Sequence, residues 1–223
     1  ESPVTGSSPP LMDDSVRDLR RVSLLFLVIA VVFFSLIFNP VIIEFFDQEA
    51  SDAARLDYVQ DNLNVLRILF TGIGVTELAL GVALWLWGQR VRRQTTGGRG
   101  TAAYAFAWVG LVAGVLAVAG RSAVWFEDAE QIASSELGFV DRILFLPASV
   151  GFSLSFIVFG VLMVIGAMPT WLGVVWIVCG ILFWVGILPL WFFVGALVFG
   201  VWGVIRFRPG RGSVAQIAAV RTG

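Results

Sequence analysis

Two ionisable residues lie inside apolar runs that otherwise hold little that could do chemistry: Glu77 within Leu66–Gly88 and Arg121 within Tyr104–Phe126. Glu77 is the only acid deep inside any apolar run of the chain. A carboxylate at mid-span depth costs about 2.5–3.5 kcal/mol on insertion scales. Glu77 is therefore expected to be neutral, paired or facing a wet interior. Counted from the outer ends, it lies about 16 Å deep and Arg121 about 8 Å. An arginine stem can bridge much of that gap or snorkel outward. Glu44, Glu127 and Asp128 are alternative partners for Arg121, and Arg67, Asp141 and Arg142 sit at a similar outer level. The expectation is an outer polar cluster of Glu44, Arg67, Arg121 and Arg142, with Glu77 beneath it. Such a cluster could tie helices in register, line a cavity for a ligand or proton, or form a catalytic pair. The first use is the commonest.

The elements that must position these charges are helices with small-residue faces. Gly74, Glu77, Gly81 and Gly88 share one face of the second span. In the third, Ala103, Ala107, Gly110, Gly114, Ala117 and Arg121 recur at steps of three and four. Small residues let membrane helices approach closely, and Gly110 and Gly114 have the GxxxG spacing. Both charges are thus expected to point into a bundle.

Composition sets the class. The chain has 223 residues and is 58% hydrophobic, above the usual 45–50% of soluble domains, with the excess in long blocks. It contains no His and no Lys, and all fifteen basic residues are Arg. Without His, the chain alone builds no His-ligated haem, copper or zinc site and no Ser-His-Asp triad. Without Lys it forms no retinal or pyridoxal Schiff base. The lone Cys179 lies in an apolar run and reads as packing. No nucleotide loop, nucleophile elbow or metal-ligand spacing is present, so no cofactor and no nucleic-acid partner are expected.

The hydropathy pattern predicts an all-α, polytopic membrane bundle of six spans: 22–46, 66–88, 104–126, 143–167, 171–188 and 190–207. Residues 1–21 are expected to be a disordered tail, 22–207 one membrane domain, and 208–223 a second tail. The first apolar run is too long and too late for a signal peptide. Arg17, Arg20 and Arg21, the loop with Arg90, Arg92, Arg93 and Arg99, and the C-terminal tail all fall on one side. The segments around Asp47–Asp61 and Glu127–Asp141 are acidic and fall on the other. The positive-inside rule then puts both ends in the cytoplasm, with the acidic loops facing out.

Weaker features refine the picture. Leu56, Val59, Leu63 and Leu66 make one helical face, either a helix lying on the membrane or an outward extension of the second span. Asn39-Pro40 and Pro147, the latter with Ser149, Ser153 and Ser155, are expected to open or kink the first and fourth spans. Trp85, Trp87, Trp171 and Trp191 read as interfacial anchors.

The stretch Phe159–Gly173, ending in Pro169-Thr-Trp-Leu-Gly173, resembles an uncharacterised family of bacterial multi-pass membrane proteins. There an apolar helix ends in a short turn, Pro-x-Trp-Leu-Gly opens the next span, and the last helix runs into a basic end, here Val204-Ile-Arg-Phe-Arg208. The basic residues that the family carries around that proline are missing. The resemblance implies architecture and no activity. The functional expectation is a non-enzymatic accessory or scaffolding subunit that binds lipid, another membrane protein or its own copies. The alternative is a small proton-coupled transporter or channel-like protein using Glu77 with Arg121.

Overall fold

The computed structural model describes residues 11–47, 52–95, 97–134, 139–166, 168–184 and 189–207. All regular structure among them is helical: α1 (Leu11–Ile37), α2 (Pro40–Asp47), α3 (Asp52–Gln94), α4 (Gly98–Ser122), α5 (Ala129–Ser134), α6 (Phe139–Val164), α7 (Thr170–Leu182) and α8 (Leu190–Arg206), with a single 3-10 turn at Ala123–Phe126. Four stretches are long and apolar enough to cross a membrane: Asp18–Ile37, Ala54–Gln94, Gly98–Phe126 and Ile143–Val164. Thr170–Leu182 and Leu190–Arg206 are apolar but shorter.

Several boundaries differ from the sequence reading. The tail expected through residue 21 is helical from Leu11. The first apolar run is two helices, because Pro40 has no N–H to continue α1. Asn39 starts α2 instead, its Oδ1 accepting from the Val41 N–H at 3.0 Å. The helical face of Leu56, Val59, Leu63 and Leu66 is continuous with the second apolar run inside α3, with Val59 and Leu66 fully buried. Residues 1–10, 185–188 and 208–223, parts of the expected tails and fifth span, lie outside the described residues.

The six long or apolar helices close into a circuit. In order, α3 packs on α4, α4 on α6, α6 on α7, α7 on α8, α8 on α1, and α1 back on α3. Trp176 of α7 fills the middle. Its ring lies 5.6 Å from Phe26 of α1, 4.5 Å from Phe156 and 6.4 Å from Phe159 of α6, and 5.5 Å from Phe199 of α8. Its indole N–H donates to the Gly195 carbonyl at 3.1 Å, so the polar atom is satisfied within the core. Trp87 is also core, 5.1 Å from Phe199, and not an interfacial anchor as its place in the sequence suggested.

The outward faces are apolar: Val28 and Val31 on α1, Val75 and Val82 on α3, Val112 and Val115 on α4, and Val174 and Val178 on α7 are exposed. Within α6, Pro147 is accommodated and the serines find carbonyls. The Ser155 hydroxyl donates to Gly151 and faces the Phe106 carbonyl of α4, while Ser153 donates to the Gly180 carbonyl of α7 at 2.7 Å. This is how membrane helices re-satisfy polar groups near a proline.

Candidate functional site

The α3–α4 seam is built for close approach. A Cβ placed on Gly81 would come within 2.6 Å of the Gly110 carbonyl oxygen and 3.3 Å of the Gly114 Cα. One placed on Gly114 would meet the Glu77 carbonyl at 3.0 Å. One on Gly74 would lie 2.8 Å from the Arg121 Cβ. Gly74 therefore makes the space in which the Arg121 stem crosses α3, and the seam delivers the guanidinium beside Glu77.

Three buried charged side chains meet there. Arg121 Nη1 donates to Asp141 Oδ2 at 2.5 Å. Arg121 Nε lies 3.5 Å from Glu77 Oε2 and makes no hydrogen bond. The Phe145 ring sits 5.7 Å from the guanidinium carbon, within cation–π range. Helix ends reinforce the pairing. Arg121 is in the last turn of α4 and Asp141 in the first turn of α6, where a cation and an anion respectively complement the helix dipole. Gly120 opens the way: a Cβ there would be 2.8 Å from Asp141 Oδ1. Burial pushes the Asp141 carboxyl up from its ordinary range, and the Arg121 guanidinium draws it back.

Beside this cluster is a cavity of about 10 Å³, lined by the three charged residues and by Phe145, Ser149 and Pro189 among others. That is the space of one water molecule and of no larger ligand. With all three groups ionised, two carboxylates share one guanidinium. Among the described residues, no three His, Cys, Asp or Glu side chains are grouped to hold a metal ion.

The expected outer cluster does not assemble as drawn. Glu77 and Arg121 meet, but Arg67 and Glu44 are elsewhere. Arg67 is ten residues up α3 from Glu77, about 15 Å along the axis. Its Nε and Nη2 donate to the carbonyls of Val124 and Glu127, at 3.2 and 2.6 Å. It clamps the chain leaving α4, where carbonyls lack helical partners. Glu44 is exposed on α2 and faces Tyr58, nineteen residues up α3 from Glu77. The side chain of Arg142 lies outside the described residues. Asp141, which sequence reasoning placed at the right level but left out of the cluster, is the hydrogen-bonded partner of Arg121. A Gly-Arg pair closing one apolar run and an Asp opening the next was the available signal.

No protein-family model matches the chain, and neither a curated protein nor a solved structure matches it.

Proposed function

We propose that the chain is a six-span protein of the bacterial inner membrane, both ends cytoplasmic, acting as a non-enzymatic accessory or scaffolding subunit that binds lipid or another membrane protein. The observation that carries this reading is the closed state of the ionic site. Its charges are spent on one another across α3, α4 and α6, with space for a single water. That is the arrangement of an interhelical tie. Two further features support six spans: α7 and α8 pack as full members of the circuit, and the basic segments then all fall on one side.

The test is native mass spectrometry of the protein released gently from its own membrane. A protein partner at fixed ratio is the expected result. Recovery as a lone monomer, without partner or retained lipid, would overturn the subunit reading.

A second reading rests on the charge count of the same site. Two carboxylates against one guanidinium leave a place for one proton, which suits a small proton-coupled transporter using Glu77 with Arg121. In proteoliposomes that reading requires Glu77→Gln to abolish pH-dependent flux while the protein still folds. A variant that changes only thermal stability leaves the tie as the role of Glu77.

A further inference from the structure

A second feature lies on the outer surface of the bundle, on the face of α8 turned away from the core. Leu197, Val201 and Ile205 recur every fourth residue, with Trp202 and Arg206 on the adjacent row, and together they floor a groove. Trp171, in the first turn of α7 and half exposed, forms the other wall. The groove is shallow and open along its length, with a volume of about 490 Å³. From Leu197 to Arg206 it runs about 14 Å along α8. Its floor is apolar for most of that length and ends in one exposed cation.

Arg206 lies in a wholly basic stretch of the chain. Past Asp141 the sequence contains no Asp or Glu, so α7, α8 and the C-terminal tail offer no acidic side chain, while Arg208, Arg211 and Arg221 follow Arg206. Among the described residues no carboxylate pairs with it. An apolar slot ending in an exposed arginine between two tryptophans has the polarity profile of a phospholipid, with acyl chain, interface and anionic headgroup in order. Trp is the residue that sits at the headgroup level, and clustered arginines at a cytoplasmic helix end attract anionic lipid.

We propose that this groove is a binding site for one anionic phospholipid of the inner leaflet, with an acyl chain along Leu197, Val201 and Ile205 and the phosphate on Arg206. The proposal rests on the membrane orientation argued above and adds a place and a headgroup preference to it. Val201 is exposed, so a larger side chain there fills the groove without entering the core. Arg93, exposed near the end of α3, is a basic residue outside the groove and serves as the control.

The full-length protein in mild detergent is titrated with a phosphatidylglycerol, or with a phosphatidylcholine of the same acyl chains, and bound lipid is counted by native mass spectrometry. Phosphatidylglycerol is expected to bind its first site about fivefold more tightly than phosphatidylcholine, the worth of one basic residue near anionic lipid. Arg206→Gln should erase that preference, Val201→Trp should lower first-site occupancy by both lipids, and Arg93→Gln should change neither. Equal binding of the two lipids by the unaltered protein overturns the proposal. So does a preference that survives Arg206→Gln, or one that Arg93→Gln reduces equally. Alkaline carbonate extraction separates the two levels of argument. A protein washed off its membrane refutes the membrane reading itself, whereas an embedded protein without headgroup preference refutes only this site.

Discussion

Where α3 meets α4, glycine lets two backbones touch, and a charged side chain lies across the seam. Where α1, α6, α7 and α8 meet, glycines also bring backbones together, Gly200 of α8 against Leu27 of α1 and Gly160 of α6 against Gly173 of α7, but aromatic rings fill the space between the helices. Phe33 stacks on Phe193 at 3.5 Å between centroids, Phe156 on Trp176 at 4.5 Å, and Phe183 on Phe192 at 5.3 Å. Lipid tails are as apolar as Leu, so burying apolar surface does not by itself join helices in a bilayer. Both arcs gain van der Waals contact by removing side chains where helices cross, and the second adds the largest ones between the crossings. The difference decides where charge can sit. An arginine stem fits over Gly74, whereas the middle of the second arc is taken by the rings around Trp176, and the chain past Asp141 carries no acid to receive a cation.

The most damaging change to the ionic arc is removal of its cation. Arg121→Leu leaves Glu77 and Asp141 buried without a counter-charge, and loss of one partner from a buried pair costs about 3–5 kcal/mol. Detergent-solubilised protein unfolded by SDS titration and followed by circular dichroism should show a loss of that size. An unchanged midpoint would mean the guanidinium is not needed where the structure places it. The matching change in the aromatic arc is Trp176→Ala, which opens a cavity among four rings and should cost about 3 kcal/mol or more. In the same titration, a loss near zero would show that the centre is not packed as described. The glycine seam comes next. A Cβ at Gly81 would press on the Gly110 carbonyl and the Gly114 Cα, both backbone atoms that cannot turn aside. Gly81→Val should therefore cost about 1–3 kcal/mol by overpacking, while the same change at exposed Gly98, with open space around it, should cost far less.

Much of the first arc was legible before any coordinates, because its signal is local. Glycines at steps of three and four mark a close-packing face, and a charge on that face must point inward. Asp141 was not legible in the same way. It follows a run of loop acids, Glu127, Asp128, Glu130 and Glu136, and only its place at the opening of the next apolar run separates it from them. What buries it is the start of α6 against the end of α4, twenty residues earlier. Arg67 and Glu44 failed for a related reason. Counting from the ends of the apolar runs puts these residues at one level, whereas along α3 Arg67 lies ten residues from Glu77, and Tyr58, which Glu44 faces, nineteen. The contact between α3 and the aromatic arc was the least legible, since Trp87 lies beside the basic Arg90–Arg93 stretch and reads as an interface anchor. Its burial depends on Phe199, more than a hundred residues away.

The smallest expected effect is also the one that sorts the roles of the two acids. Arg121 Nη1 is hydrogen-bonded to Asp141, while its Nε only faces Glu77 at 3.5 Å. Hydrogen bonds to charged groups contribute about 1.5–3 kcal/mol, so Asp141→Asn should destabilise by about 2 kcal/mol. Glu77→Gln keeps the shape, removes one of two carboxylates competing for a single cation, and leaves the Asp141–Arg121 pair intact. Its cost should stay below about 1 kcal/mol, since trading a weakly paired buried charge for a neutral amide is often close to neutral. Equal losses in the two variants would mean that both acids hold the guanidinium equally. A larger loss for Glu77→Gln would reverse the assignment and make α3, not α6, the principal anchor of Arg121. The predicted order makes Asp141 the structural partner and leaves Glu77 as the acid that can change its protonation without unfastening the seam, so a flux defect confined to Glu77→Gln would then be a statement about function and not about folding.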